Sequence, residues 1–142
     1  MKRINISALL LLLALTACFP RRTPAPLGAD ASPDNVPDIV GSYALNANDP
    51  TGEQYGGTLT ISAGDAPNEY KMQWLVSGGI HEGTGTLEGN QITAAWHSVS
   101  GTDQDISGTV SYTVTVNGEL YGTRIIDGVE GFSEETAYPN PK

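Results

Sequence analysis

Cysteine is nearly absent: Cys18 is the only one in 142 residues. An intrachain disulfide is therefore impossible, and so is a second thiol for a zinc or redox pair. Basic residues are also scarce, with 7 Lys+Arg against 16 Asp+Glu. From Asp38 onward only 3 basic residues face 14 acidic ones. That balance argues against nucleic-acid binding, where a basic footprint supplies most of the affinity. It argues equally against electrostatic docking on anionic lipid. Long apolar runs are lacking after residue 18, as are amphipathic helical stripes beyond residue 38. Helix-bundle and doubly wound architectures are thereby excluded. Missing too are a Gly-x-Ser-x-Gly elbow, a phosphate-binding glycine loop and a His-Glu-x-x-His pair. The common hydrolase, nucleotide-binding and metalloprotease chemistries have no anchor here.

What is present begins at the amino terminus. Met1-Lys2-Arg3 is a short basic region, and Ala8–Leu15 is an unbroken apolar run of 8 residues. That is too short for a bilayer core, which takes about 20 residues, so it reads as a secretory signal peptide over 1–17. It ends in Leu15-Thr16-Ala17-Cys18. These four residues resemble the lipobox of bacterial lipoproteins, whose Cys accepts a lipid and becomes the first residue after cleavage. The resemblance implies lipidation of Cys18 (diacylglyceryl, with palmitate-type acyl chains). It implies an exported chain anchored to the cell membrane or outer membrane, on its periplasmic or surface face. Stable anchoring needs two or more acyl chains. Phe19 follows Cys18, with no Asp there to signal inner-membrane retention by the rule of enterobacterial sorting.

Residues 18–37 hold the lipidated Cys and a tether. Pro20, Pro24, Pro26, Pro33 and Pro37 crowd this stretch. Proline favours extended polyproline conformation and offers a core nothing to pack; at about 3.1 Å per residue the tether reaches at most about 60 Å. Arg21 and Arg22 are too few for a membrane-binding patch.

Residues 38–142 change character. Tyr70, Met72, Trp74 and Val76 alternate with polar neighbours, as do Ile92, Ala94 and Trp96, and Val110, Tyr112, Val114 and Val116. Period two is the signature of half-buried strands. Gly78-Gly79, Gly89-Asn90, Asn117-Gly118 and Asp127-Gly128 are two-residue hairpin signals, since these residues tolerate positive φ. Strands are expected near 39–45, 56–62, 69–77, 80–88, 91–97, 108–116, 119–126 and 129–137. The fold class is all-β: a small antiparallel up-and-down meander of about eight strands, closed or nearly closed into a barrel. A two-sheet sandwich is the alternative, but it needs longer crossings than these hairpins supply.

The pattern of turn glycines and core aromatics is similar to a loose group of small secreted bacterial β-domains, some labelled fibronectin-binding. It runs through Gly41-Ser42-Tyr43, Tyr55-Gly56-Gly57-Thr58-Leu59, Tyr70 to Trp74, Gly83-Thr84-Gly85, Gly89 to Trp96, and Tyr112 with Asn117 to Gly122. The opening Gly-x-aromatic strand and the meander also resemble lipocalins and avidins, with Tyr43 in place of the usual Trp. These resemblances bear on fold more than on activity.

Candidate chemistry is thin. His81 and His97 are the only histidines, and they read as exposed strand-end residues rather than zinc ligands. Asp103 and Asp105 lack the glycine and distal glutamate of a calcium loop. Glu134 and Glu135 point to opposite faces of a strand and make a poor acid/base pair. No catalytic residue, metal or cofactor is expected. The inward aromatics Tyr43, Tyr70, Trp74, Trp96 and Tyr112 either fill the core or line a pocket, because an eight-stranded barrel is just packed or holds one small ligand. Tyr55 and Tyr121 look outward or near strand ends. The expected function is a non-catalytic, membrane-anchored envelope module that binds a protein or glycan partner or serves structurally. The alternative is a carrier of a small apolar ligand; an enzyme comes third.

Overall fold

Alternating side chains become eight strands: β1 (Gly41–Asn48), β2 (Gln54–Ala63), β3 (Glu69–Val76), β4 (Gly79–Glu88), β5 (Gln91–Gly101), β6 (Ser107–Val114), β7 (Leu120–Ile126) and β8 (Ser133–Pro139). The structure, a computed structural model, describes residues 25–102 and 104–141. The signal peptide, Cys18, Arg21, Arg22 and Asp103 lie outside the described residues. Each strand pairs antiparallel with the next, and β1 pairs with β8, so the sheet closes into a barrel with no sandwich-type crossing. Closure leaves no edge strand to template unwanted pairing. Observed strands fall within a few residues of those read from periodicity, with β8 starting at Ser133 rather than 129.

The up-and-down order gives the barrel two unlike ends. One end gathers the turns at 64–68, 89–90 and 115–119, together with both chain-terminal segments. The other gathers the loops at 49–53, 77–78, 102–106 and 127–132. Between them sits the core: Ile39, Tyr43, Leu45, Leu59, Ile61, Met72, Trp74, Ile92, Val110, Tyr112, Val114 and Leu120 are all buried. Val116, expected to face inward with its neighbours, is instead half exposed, because β6 stops at Val114 and Thr115 turns.

The first end is sealed by the chain that precedes β1. Ala29 and Ala31 form backbone hydrogen bonds with Val116 and Val114 (2.8 and 2.9 Å), and Asp30 bridges Thr115. The Asn90 side chain donates to the Ala31 carbonyl at 2.9 Å. The Tyr121 hydroxyl donates to Asp30 at 2.8 Å, so this tyrosine holds the chain's own leading segment. Ala31 is buried, and Val36 packs against the core. Residues read from composition as tether up to 37 thus pack on the barrel from about residue 28. Prolines did not prevent this, because the segment pairs through non-proline amides at 29–31 and 116 and leaves its prolines at positions that need no N–H donor.

Two glycines set the core's shape. Gly83 and Gly108 stand level with Trp96 on either side, on β4 and β6. A side chain on Gly108 would strike the Ile125 carbonyl and reach within 3.1 Å of the Trp96 ring. The missing Cβ at Gly108 leaves room for the indole beside β6.

Candidate functional site

At the second end the lumen is open. A cavity of about 520 Å³ enters there, walled by Val76, Ile106 and Ile126, rimmed by the 49–54 and 127–132 loops, and floored by His81, Trp96 and Arg124. Val129 and Phe132, both about half exposed, stand on the rim loop between β7 and β8. A larger depression, about 660 Å³, lies on the outer face of β2 to β5 among the exposed side chains of Thr60, Lys71, Gln73, Glu82 and His97. It is a solvent-facing groove rather than a lumen, and the Gln73–Glu82 hydrogen bond crosses it at 2.9 Å.

The floor of the lumen is built on parity. In β7, Leu120, Gly122, Arg124 and Ile126 share one face; in β8, Ser133, Glu135 and Ala137 do. Leu120 and Ala137 are core residues, so Arg124 and Glu135 are carried inside, at 3 % and 1 % exposure. Arg124 is one of only three basic residues from Asp38 onward, and the fold buries it.

A buried charge must be compensated. The Arg124 guanidinium lies 3.7 Å from the centre of the Trp96 ring and 4.9 Å from that of Trp74, a cation–π contact with each. Its Nη2 donates to His81 Nδ1 at 2.7 Å. Arginine cannot accept, so this His81 nitrogen is the unprotonated one. Its Nη1 stands 3.6 Å from Glu135 Oε1, near enough for ion pairing but not for a hydrogen bond. Glu135 is occupied elsewhere. Tyr55 donates to Oε1 at 2.7 Å, and Tyr112 makes a short hydrogen bond to Oε2. Trp74 Nε1 in turn donates to the Tyr112 oxygen at 3.0 Å. Burial, and then the Glu135 charge, push both tyrosine hydroxyls well above the ordinary value for tyrosine. Both therefore stay neutral donors at any physiological pH.

Two donors at this level lack an acceptor. Trp96 Nε1 and Arg124 Nη1 are buried, and neither makes a hydrogen bond to any described residue. An unmade buried hydrogen bond costs about 1–3 kcal/mol.

Of the five aromatics read from the sequence as inward, only Trp96 lines the cavity. Trp74 and Tyr112 are fully buried below it. Tyr43 is buried toward the sealed end, where its hydroxyl donates to the Ile39 carbonyl at 2.6 Å. Tyr70 is partly buried at that same end, beside Val36, Pro37 and Leu87. Two expectations are corrected. His81 is not an exposed strand-end residue but a buried one, because β4 parity turns it inward; His97, on the outward phase of β5, is exposed. Tyr55 lies near the start of β2, but its hydroxyl turns to Glu135 rather than outward. Arg124, unremarked in the sequence, is at the centre. The signal for it is faint: Leu120 marks the inward phase of β7, and Arg124, four residues on, shares it. Glu134 and Glu135 do point to opposite faces, outward and inward.

Among the described residues no group of three His, Cys, Asp or Glu side chains is placed to hold a metal ion. No protein-family model matches the chain, and no curated protein does. Solved structures do. The chain is similar to a redesigned β-barrel, mFAP1, bound to DFHBI, at 12% identity and a TM-score of 0.58, over 72% of this chain and 94% of that one. It is also similar to a de novo designed fluorescence-activating β-barrel, at 16% identity and a TM-score of 0.50, over 71% and 93%. Both likenesses concern the closed barrel fold.

Proposed function

We propose that this protein is a small-molecule binding module that receives its ligand through the open end of the barrel. One observation carries the reading: the barrel is sealed at one end and packed through its middle, yet keeps a cavity of about 520 Å³ at the other. Ligand sites commonly span about 300–1,000 Å³, with mostly apolar walls and a few convergent polar groups. Val76, Ile106 and Ile126 supply such walls, and Arg124, His81 and Trp96 the polar floor. A chain under no demand to bind would fill this space, since packing to native density is stabilising. A redesigned barrel of similar fold is bound to DFHBI, which supports a binding role for this barrel.

The module is tethered to a membrane through lipid on Cys18, with the ligand-binding end facing away from the anchor. The leading segment seals the opposite end, which orients the mouth away from the point where the tether departs. Replacing Cys18 by Ser is expected to shift the protein from the membrane to the soluble fraction. Retention after a carbonate wash refutes the anchor.

The binding reading is tested by thermal shift of the full chain against a panel of small apolar and amphipathic compounds. Hits are expected to raise the midpoint in the wild type. They lose that effect when Val76→Trp and Val129→Trp together plug the mouth. A panel without hits, or hits that survive the plug, refutes the reading.

A further inference from the structure

The floor of the mouth has donors in excess. Trp96 Nε1–H and the Arg124 guanidinium can only donate, and neither Trp96 Nε1 nor Arg124 Nη1 reaches an acceptor among the described residues. Glu135 already takes two tyrosine hydroxyls, and its carboxylate sits one layer deeper than Arg124. His81 Nδ1 already takes Arg124 Nη2. Ser98, paired with His81 across β4 and β5, carries a buried hydroxyl that is also unused, but neither Trp96 Nε1 nor Arg124 Nη1 bonds to it, so both donors stay unmatched. The cavity sits directly above, so an acceptor supplied from outside the chain must arrive through it.

We infer that the ligand is an organic anion that carries one carboxylate on an apolar body, with the carboxylate seated at the floor against Arg124 and Trp96 Nε1–H. This rests on the reading that the mouth binds a small molecule. Charge decides for a carboxylate over a neutral carbonyl. The Arg124–Glu135 approach of 3.6 Å is too long for the hydrogen bonds that normally complete a buried ion pair. A carboxylate reaching Arg124 would form charge-assisted hydrogen bonds, which are about twice as strong as neutral ones. The cation–π contacts hold the guanidinium plane in place but use none of its N–H groups. Arg124 and Trp96 both line the cavity, so a head group that enters it reaches their side chains.

The rest of the cavity sets the body of the ligand. Val76, Ile106, Ile126 and Val129 give it apolar walls. The rim is acidic: Asp49, Glu53 and Glu130 stand around the entrance. Asp49 is held ionised, its carboxyl pulled down by hydrogen bonds from Thr51 and from the Glu53 and Thr51 amides. Rim carboxylates repel a second negative charge placed near the entrance. The inferred ligand therefore has its single charge at the buried end and none at the exposed end. Phosphorylated or dicarboxylic compounds are disfavoured on this ground.

Matched pairs test the head group separately from the cavity. 2-Naphthoic acid and methyl 2-naphthoate, and decanoic acid and methyl decanoate, are titrated into the full chain at neutral pH. Binding is read by quenching of the two tryptophans, Trp74 and Trp96, and by isothermal calorimetry. Each acid is expected to bind at least about ten-fold tighter than its ester. Trp96→Phe, which keeps a ring but removes the N–H, is expected to cut that advantage about three-fold. The paired change Arg124→Met with Glu135→Gln keeps the interior neutral and is expected to abolish it. Acid and ester binding equally well overturns the carboxylate inference and leaves the cavity reading standing. An acid preference that survives both variants also overturns it, because the acid is then held elsewhere. Failure of all four probes to bind overturns the inference and the cavity reading together.

Discussion

The two ends of this barrel follow different rules. At the sealed end the lumen is filled by aliphatic and aromatic side chains, and the leading segment lies across it as an added bridge. Polar groups there find partners: Tyr43 bonds Ile39, Asn90 bonds Ala31, and Glu119 accepts from Thr115, Asn117 and the Gly28 amide. At the open end the same fold buries a guanidinium beside an indole, leaves two donors without acceptors, and keeps a cavity above them. One end is built for stability and the other forgoes some of it. Departures from complete packing and complete hydrogen bonding tend to gather where a protein acts.

Breaking the charge layer tests this contrast most severely. Arg124→Met leaves the Glu135 carboxylate buried without its cation and is expected to cost about 3–5 kcal/mol in urea denaturation. Adding Glu135→Gln is expected to recover most of that loss, because no unpaired charge remains. An Arg124→Met protein of wild-type stability would show that the layer is solvated rather than buried.

Next in size is a matched pair of truncations. Leu59→Ala, at a fully buried position in the packed half, is expected to cost about 2–5 kcal/mol. Val129→Ala, on the open rim, is expected to stay within about 0.5 kcal/mol. Comparable losses at both sites would remove the distinction between the two ends.

The tyrosines report the same difference through pH. Tyr43 is pushed up to about 12 by burial and by the Asp38 charge, and Tyr55 and Tyr112 are raised by burial and by Glu135. Their folded values lie above the unfolded value of about 10. Their contribution is fully present below about pH 10 and is lost as pH rises through the folded values. Stability is expected to hold flat up to that point and then fall. Glu135→Gln is expected to soften the fall by removing the charge that opposes ionisation of Tyr55 and Tyr112.

A single hydrogen bond tests the seal. Asn90→Ala removes the donor to Ala31 and is expected to cost about 1 kcal/mol. Glu119 gives the seal an acid limit. Burial opposes its ionisation, but hydrogen bonds from Thr115, Asn117 and Gly28 outweigh that and lower its pKa. Its stabilisation is therefore present above the unfolded value of about 4.3 and is lost as pH falls through the lower folded value. Amide exchange at Gly28 and Ala31, relative to the barrel strands, is expected to speed up over that acidic range. Equal protection at acid and neutral pH would detach Glu119 from the seal.

Much of the barrel was legible in the chain. The alternations at 70–76, 92–96 and 110–114 place β3, β5 and β6, and the glycine turns at 78–79, 89–90 and 117–118 separate them. Evenly spaced hairpins implied a meander. The candidate site was much less legible. Period two marks Trp96 as inward, but it leaves Tyr55 outward or near a strand end, reads His81 as exposed, splits Glu134 and Glu135 between two faces without saying which is inside, and gives no sign of Arg124. The cause is physical. Charged and polar residues carry no hydrophobic signal of their own, so only their phase relative to apolar neighbours on the same strand reveals that they face inward. In β7 and β8 that phase is short and broken by Gly122 and Ser133.

What the sequence determined by itself is local: which residues form strands, where they turn, and which face of each strand is apolar, because period-two patterning and turn conformation act over a few residues. The tertiary structure decided the rest. Pairing of β1 with β8 closed the sheet, and closure brought Tyr55 of β2 to Glu135 of β8, 80 residues along the chain, beside Arg124 and Tyr112 on the neighbouring β7 and β6. It also made a docking end for residues 28–36, which composition alone assigned to a tether. No local pattern encodes either result, because both depend on the stagger between strands that only a complete barrel possesses.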